Sequence, residues 1–328
     1  METPVELLFG NRVVFSDKEV FSRKLNKIRS QGPSKLNIVT DFDFTISKFF
    51  MKGERGASCH KVIEDCGLLS DDYHSRAQAL QIQHYAVEVD PDISIEEKTL
   101  DMVEWVTEAH QLLIDSGLTQ LMVHQAVESA LHHDSLGLRE KVDNFFSMLV
   151  QYQVPTLIFS AGVADVLEHV INTKYPSFDW SYVDVISNRC VFENSPSKRL
   201  LSFEEPLLHV FNKRGSAYLH TPYFSREGQA SRTSLLLVGD SMGDISMSDG
   251  FEVETDCLLK IGFLNDRVER LSQYLESYDI VILDDPGFHV PLGILEAVCG
   301  VGESAVTTLE RALTSTTSSA CGSDTVTN

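Results

Sequence analysis

The chain has 328 residues, 43% of them hydrophobic and 23% charged, with a formal net charge of −21 at pH 7. That length can bury a large core in one large or two smaller domains, and the hydrophobic share is ordinary for a globular protein. The acidic balance argues against a nucleic-acid binder, which needs a basic face, and no stretch approaches the roughly 18 apolar residues of a membrane span. The same balance repels anionic substrates, so a site for one has to be a local positive island built from a cation or lysine.

Met1 to Gly10 has no basic stretch followed by a long apolar core, so no secretory signal is expected. Phe15 to Ile28 has the spacing of an amphipathic helix. Leu36-Asn37-Ile38-Val39-Thr40 then reads as a buried strand running into Asp41-Phe42-Asp43-Phe44-Thr45. Two carboxylates flanking one residue at a strand end cost stability unless a cation or substrate uses them. Taken alone, such a triplet is more often a turn or a helix cap. In an open α/β sheet, though, ligands bind just outside the carboxyl ends of the strands. There one carboxylate can attack phosphorus while its neighbour handles a proton.

From 48 to 140 the spacing is helical almost throughout, as in Met102, Val103, Val106, His110 and Leu113. This stretch reads as an insertion between the first two strands of a doubly wound parallel sheet. Trp105 lies within it, able to stack on a ligand ring but more often core at such spacing. His132-His133 reads as a solvated helix face. Strand and helix patterns resume near 141. Val154 to Phe159 is a second apolar run, ending in Ser160-Ala161-Gly162 ahead of a helical pattern through Val163, Val166, Leu167, Val170 and Ile171. A hydroxyl and a glycine between strand and helix let backbone N–H groups approach a phosphate, although Ser160 also suits a helix cap. Val183 to Ile186, Cys257 to Ile261 and Ile280 to Leu283 are further strand candidates. Leu235-Leu236-Leu237-Val238-Gly239 is another, and Asp240-Ser241-Met242-Gly243-Asp244 follows it. Asp240 can complete an oxygen-rich Mg²⁺ site with Asp41 and the Asp43 backbone, with Asp244 a candidate brace for the loop. Lys213 can neutralise phosphate charge if the fold brings it close, which spacing alone does not decide. Residues 307–328, rich in Ser and Thr, read as a disordered tail.

The six cysteines form no C-x-x-C pair, and Cys59-His60 with Cys66 lacks the second pair of a zinc finger. A reducing cytoplasm is the expected location.

Together, Asp41 to Thr45, Ser160-Ala161-Gly162, Lys213 and Gly239 to Asp244 resemble, in order, the four motifs of the haloacid dehalogenase superfamily of phosphatases. Tyr85-Ala86-Val87-Glu88-Val89-Asp90-Pro91, Met102-Val103-Glu104-Trp105, His209-Val210-Phe211-Asn212-Lys213 and Lys260 to Val268 narrow the resemblance to the cytosolic 5′-nucleotidase III family. That family comprises pyrimidine and 7-methylguanosine-phosphate-specific 5′-nucleotidases, and the similarity runs from about Leu36 to about Leu283. The resemblance implies an α/β core of residues 1–47 and 141–306 with a helical cap of residues 48–140. It implies Asp41 as nucleophile and Asp43 as acid and base. Asp41, the Asp43 carbonyl and Asp240 would hold Mg²⁺, and Ser160, Ala161 and Lys213 the phosphate. Thr45 and Asp244 would support the site, and Glu88 would contact the nucleobase. One departure stands at Ala109, where the family commonly has a cap serine; losing a hydrogen bond to a buried ligand group costs about 1–3 kcal/mol. The implied substrate is a nucleoside 5′-monophosphate, with no nucleic-acid or membrane partner and a monomer as the simplest expectation. A small-metabolite phosphatase, a nucleoside phosphotransferase and a non-catalytic nucleotide-binding module are the alternatives, the last opposed by the intact Asp41, Asp43, Lys213 and Asp240.

Overall fold

The structure, a computed structural model, describes residues 5–90, 92–226, 228–301 and 303–314. Its first elements are β1 (Glu6–Leu8), β2 (Asn11–Phe15), α1 (Lys18–Gln31) and β3 (Leu36–Thr40). The next are β4 (Phe50–Met51), β5 (Glu54–Arg55), α2 (Cys59–Glu64), α3 (Asp71–Val89), α4 (Ile95–Asp115), α5 (Gln120–His132) and α6 (Val142–Gln151). They are followed by β6 (Thr156–Val163), α7 (Ala164–Lys174), β7 (Val183–Asn188), β8 (Cys190–Phe192), β9 (Leu200–Phe203) and α8 (Pro222–Ser225). The last are β10 (Ser234–Gly239), β11 (Leu258–Leu264), α9 (Leu271–Leu275), β12 (Ile280–Leu283), α10 (His289–Cys299) and α11 (Glu303–Thr314).

Eight strands form one sheet in the order β1-β2-β12-β11-β10-β3-β6-β7. From β12 to β7 the neighbours are parallel. These strands read as unbroken apolar runs because helices cover both faces; β3, β10 and β12 are buried at every residue. From β3 the chain moves outward to β6 and β7, then returns to β10 on the other side and continues to β11 and β12. The order therefore reverses between β3 and β10, the switch point where open α/β sheets place their ligands.

The sequence reading needs three amendments. β1 and β2 add an antiparallel ribbon that pairs with β12 and closes that edge of the otherwise parallel sheet. Residues 307–314, expected in a disordered tail, are helical, because Ala305, Leu309 and Ala312 bury one face of α11 and the helix packs on α10. Residues 315–328 of that expected tail lie outside the described residues. Finally, the stretch 48–140 is helical in α2 to α5 but opens with the short β4–β5 hairpin.

Caps fix the helices of that stretch. Ser70 accepts from Tyr73 N, Ser94 and Glu97 form a reciprocal capping box, and Thr119 accepts from Met122 N. α3 packs along α4, whereas α5 packs on α7 of the sheet layer. The β8–β9 hairpin reaches the far end of α4 from much later in the chain. Leu200 N donates to Leu118 O at 2.7 Å, Gln120 N donates to Lys198 O at 3.0 Å, and the Phe203 ring lies 3.7 Å from that of His110.

Candidate active site

Three adjacent strands deliver the motif residues. Val238 pairs with Thr40, and Asp41 N donates to Val238 O at 3.0 Å, so Asp41 and Asp240 emerge side by side from β3 and β10. On the other flank, Thr40 pairs with Ile158, which leaves Ser160 just beyond the same level on β6. The register between β6 and β7 slips between Phe159 and Val163. Such an irregularity re-aims the chain at a strand end. Ser160 does not cap α7, whose N-cap is Val163; its hydroxyl instead accepts from Gly162 N at 3.0 Å.

Lys213 joins them without a strand of its own. Its loop is fixed by Asn212, whose side chain accepts from His209 N and donates to Leu207 O, both at 2.8–2.9 Å. It is also pressed against the β10 loop: a Cβ on Gly243 would stand 2.1 Å from Val210 O, and one on Gly215 2.2 Å from Asp249 O. The buried Lys213 ammonium donates to Asp41 Oδ1 and, at 2.8 Å, to Asp244 Oδ1. Asp244 Oδ2 accepts from Asp240 N, Ser241 N and the Ser241 hydroxyl at 2.9–3.0 Å. Both oxygens of Asp244 are thus engaged in bracing the loop and orienting the lysine. Thr45 Oγ1 stands 3.5 Å from Asp240 Oδ1, which ties the β3 loop to the β10 loop.

Asp43 faces α2. Its carboxylate accepts from Cys59 N at 3.0 Å and from the Cys59 thiol at 3.2 Å, while a Cβ on Gly162 would stand 2.9 Å from its Oδ2. The sequence raised Cys59 only as a zinc ligand and not as a partner of Asp43, and it did not single out Tyr274 and Tyr278, whose hydroxyls donate to the carbonyls of Asp240 and Ser241. The only available signal was the four-residue spacing of the two tyrosines, which places both on one face of the turn ahead of β12.

Electrostatics marks the cluster. Burial pushes the Asp41 carboxyl up to about 7, with Lys213 pulling against it. Burial also raises Asp43, opposed by the Cys59 hydrogen bonds. Asp240 is driven well above the ordinary carboxylate range by burial and then by Asp244 and Asp41. Burial alone would lower the Lys213 ammonium, but Asp244 and Asp41 outweigh it and hold it above its ordinary value. Carboxyl groups of Asp41, Asp240 and Asp244 offer oxygens that all lie within 4.8 Å of one another. An all-oxygen set of crowded, desolvated carboxylates fits a hard divalent cation, which would relieve the repulsion that raises these groups.

Trp105, Ala109 and Ala161 make none of these contacts. Trp105 and Ala109 are half-buried on α4, with the Trp105 ring parallel to His84 at 5.8 Å. Glu88 belongs to the last turn of α3, and its side chain lies outside the described residues. Ala161 offers its carbonyl to Asn188 Nδ2 at 2.8 Å.

Residues 44–299 match the model of the pyrimidine 5′-nucleotidase (UMPH-1) family. The chain belongs to the pyrimidine 5′-nucleotidase family. It is 39% identical over 278 residues to a 7-methylguanosine phosphate-specific 5′-nucleotidase of Gallus gallus, covering 84% of this chain and 91% of that protein. A relative of the same description from Xenopus laevis, form A, is 37% identical over 91% of this chain and 99% of its own length. Among solved structures, cytosolic 5′-nucleotidase IIIB bound to cytidine superposes with a TM-score of 0.77 at 28% identity, over 90% of this chain and 95% of that one. A haloacid dehalogenase family hydrolase of Salmonella enterica shares the fold at 15% identity and a TM-score of 0.50, over 81% of this chain and 73% of that one. By family the chain is an enzyme, a 5′-nucleotidase.

Gly162 carries a testable expectation for this candidate site. Gly162→Ala would push on Asp43 Oδ2 and on the Cys59 side chain, both 2.9 Å from the added carbon. The expected result is a folded protein whose kcat falls by roughly 10–100-fold, the scale of an ångström-level misplacement. An unchanged kcat would show that Asp43 need not hold this position.

Proposed function

We propose that the chain hydrolyses nucleoside 5′-monophosphates to nucleoside and phosphate through an aspartyl-phosphate on Asp41. The observation that carries the reading is the convergence of Asp41, Asp240 and Lys213 at the sheet's switch point, with Asp43 beside them, in a chain of this family. Asp41 attacks phosphorus as the bond from phosphorus to the ribose oxygen breaks, and Asp43 gives its proton to that oxygen. Burial raises its pKa, the direction that favours a proton donor. Asp43 then takes a proton from water as the water oxygen bonds phosphorus, the bond to Asp41 breaks, and both side chains return to their starting states. Lys213, Ser160 and the Ala161 backbone hold the phosphate oxygens, and Asp244 holds Lys213. Asp41, the Asp43 carbonyl and Asp240 would hold Mg²⁺, which when bound would supply positive charge at the transferring phosphoryl group.

Residues 48–140 act in this reading as a cap that excludes water from phosphorus, with Glu88, Trp105 and Ala109 on the nucleobase side. Pyrimidine and 7-methylguanine nucleotides are the proposed substrates, and the names of the relatives weigh toward the second. Among the described residues no helix is long and apolar enough to cross a membrane, and the described cysteines are unpaired; a cytoplasmic location fits both.

Phosphate release from CMP, UMP, AMP, GMP and 7-methyl-GMP, with Mg²⁺ or with EDTA, tests the reading. Turnover of CMP, UMP or 7-methyl-GMP that EDTA abolishes is expected. Release from none of the five by folded, Mg²⁺-supplied protein would overturn it. Added nucleoside acceptor that diverts phosphate into new nucleotide would recast the enzyme as a phosphotransferase.

A further inference from the structure

Arg139 lies beneath this site, 1% exposed, with no part in the chemistry above. A guanidinium carries five N–H donors, and burying it is costly unless they are satisfied. Here all five meet acceptors. Nε donates to Thr45 O at 2.7 Å; Nη2 donates to Phe44 O and to Asn265 Oδ1, each at 2.7 Å; Nη1 donates to Pro286 O at 2.6 Å and pairs with Asp285 at 2.6 Å. The Phe263 ring covers the guanidinium face at 4.1 Å.

Two of those acceptors belong to the turn that carries the catalytic pair. Phe44 sits at φ 62°, a left-handed conformation that a bulky residue keeps only where its surroundings over-determine it. The surroundings do so: Phe44 O also accepts from Asn265 Nδ2 at 3.0 Å, and Phe44 N donates to Ser47 Oγ at 2.8 Å. On either side of this turn residue stand Asp43 and Thr45. The backbone around Arg139, and its partner Asp285, tie the chain leaving the helical stretch to the chain entering it. Arg139 N donates to Ile46 O at 3.0 Å, Lys48 N donates to Gly137 O at 2.8 Å, and Asp285 accepts from Phe49 N and Phe50 N at 2.9 and 2.6 Å.

We propose that Arg139, seated by Asp285 and Asn265, is a positioning residue for phosphoryl transfer: it holds the Phe44 turn, and through it the Asp43 carboxyl and Thr45 hydroxyl, in register with Asp41 and Asp240. It touches no substrate. The inference rests on the functional reading above and extends it to a group outside the four motifs.

Arg139→Lys keeps a cation beside Asp285 but cannot span Thr45 O, Phe44 O and Asn265 at once. Steady-state kinetics at saturating Mg²⁺, with the best nucleotide of the panel, would be measured on wild type, Asp41→Asn and Arg139→Lys, each alongside its thermal unfolding midpoint. The expected result is a folded Arg139→Lys protein with KM within about threefold of wild type and kcat lower by about 100-fold, as a misplaced catalytic group requires. A merely structural arginine would lower the midpoint and leave kcat of the folded protein untouched, so a kcat loss of less than about tenfold overturns the proposal. Should Arg139→Lys fail to unfold cooperatively, Asn265→Ala decides by the same tenfold criterion, since it removes one anchor of the guanidinium and one donor to Phe44 O. An active wild type with a fast Arg139→Lys protein defeats this inference alone; an inactive wild type defeats the functional reading and this inference with it.

Discussion

Asp41→Asn should abolish phosphate release and leave the fold standing. Asparagine keeps the shape of the side chain but gives up the anionic oxygen that bonds phosphorus, and loss of a nucleophile lowers kcat by at least about 10⁴-fold. Stability should move in a different way. The Asp41 carboxyl is desolvated enough to be raised to about 7, so its ionisation at neutral pH disfavours the folded state. Lys213 keeps Asp244 as a partner at 2.8 Å after the substitution. The unfolding midpoint is therefore expected within about 4 °C of wild type, or above it. Thermal unfolding run beside the kinetic assay separates the two effects. Wild-type rates in a folded Asp41→Asn protein would remove Asp41 as nucleophile.

Lys213→Met should damage both activity and stability. The ammonium is the shared partner of Asp41 and Asp244, all three groups are buried, and taking one partner from a buried pair costs about 3–5 kcal/mol. The sign of its pH dependence follows. Without the lysine, the Asp41 carboxyl loses the charge that opposes its rise and climbs further above its ordinary value near 3.8, and a group raised in the folded state stabilises when protonated. Its stabilising effect is lost as pH climbs through the folded pKa. In EDTA, the deficit of Lys213→Met relative to wild type should therefore shrink as pH falls from about 9 to about 7, where the wild-type Asp41 carboxyl also takes up its proton. A deficit that is constant across this range would mean that the lysine acts by packing and not by charge. Phosphate grip should fail at every pH, with kcat/KM down by about 10²–10³-fold.

The parts of the site legible in the sequence were those with a strand to announce them. Asp41, Ser160 and Asp240 each follow an apolar run long enough to be a strand buried on both faces, and the strand-end rule then places them together. Lys213 follows no such run; its position depends on Asn212 and on the backbone approach at Gly243, which spacing does not encode. Arg139 was invisible for a similar reason, because a lone arginine reads as a surface group until its five acceptors are assembled from 44–45, 265 and 285–286. The C-terminal helix misled through composition. Thr and Ser lower helix propensity and suggest disorder, yet Ala305, Leu309 and Ala312 carry the spacing of one buried helical face. Strands β8 and β9 are too short for alternation to identify; they pair with each other, and β9 packs on α4 and bonds to the loop that follows it.

That last partnership has a consequence for how the molecule is made. The backbone after α4 finds its hydrogen-bond partners in Lys198 and Leu200, and the His110 ring finds its stacking partner in Phe203. While the chain is still being synthesised, α3 and α4 emerge long before those residues exist. Until about residue 203 has left the ribosome, the peptide groups at the α4 end bond only to water and the His110 ring has His60 but not Phe203 against it. A truncation that ends between α5 and β8 is therefore expected to aggregate even though every helix of the insertion is present, which sedimentation of the expressed fragment would check.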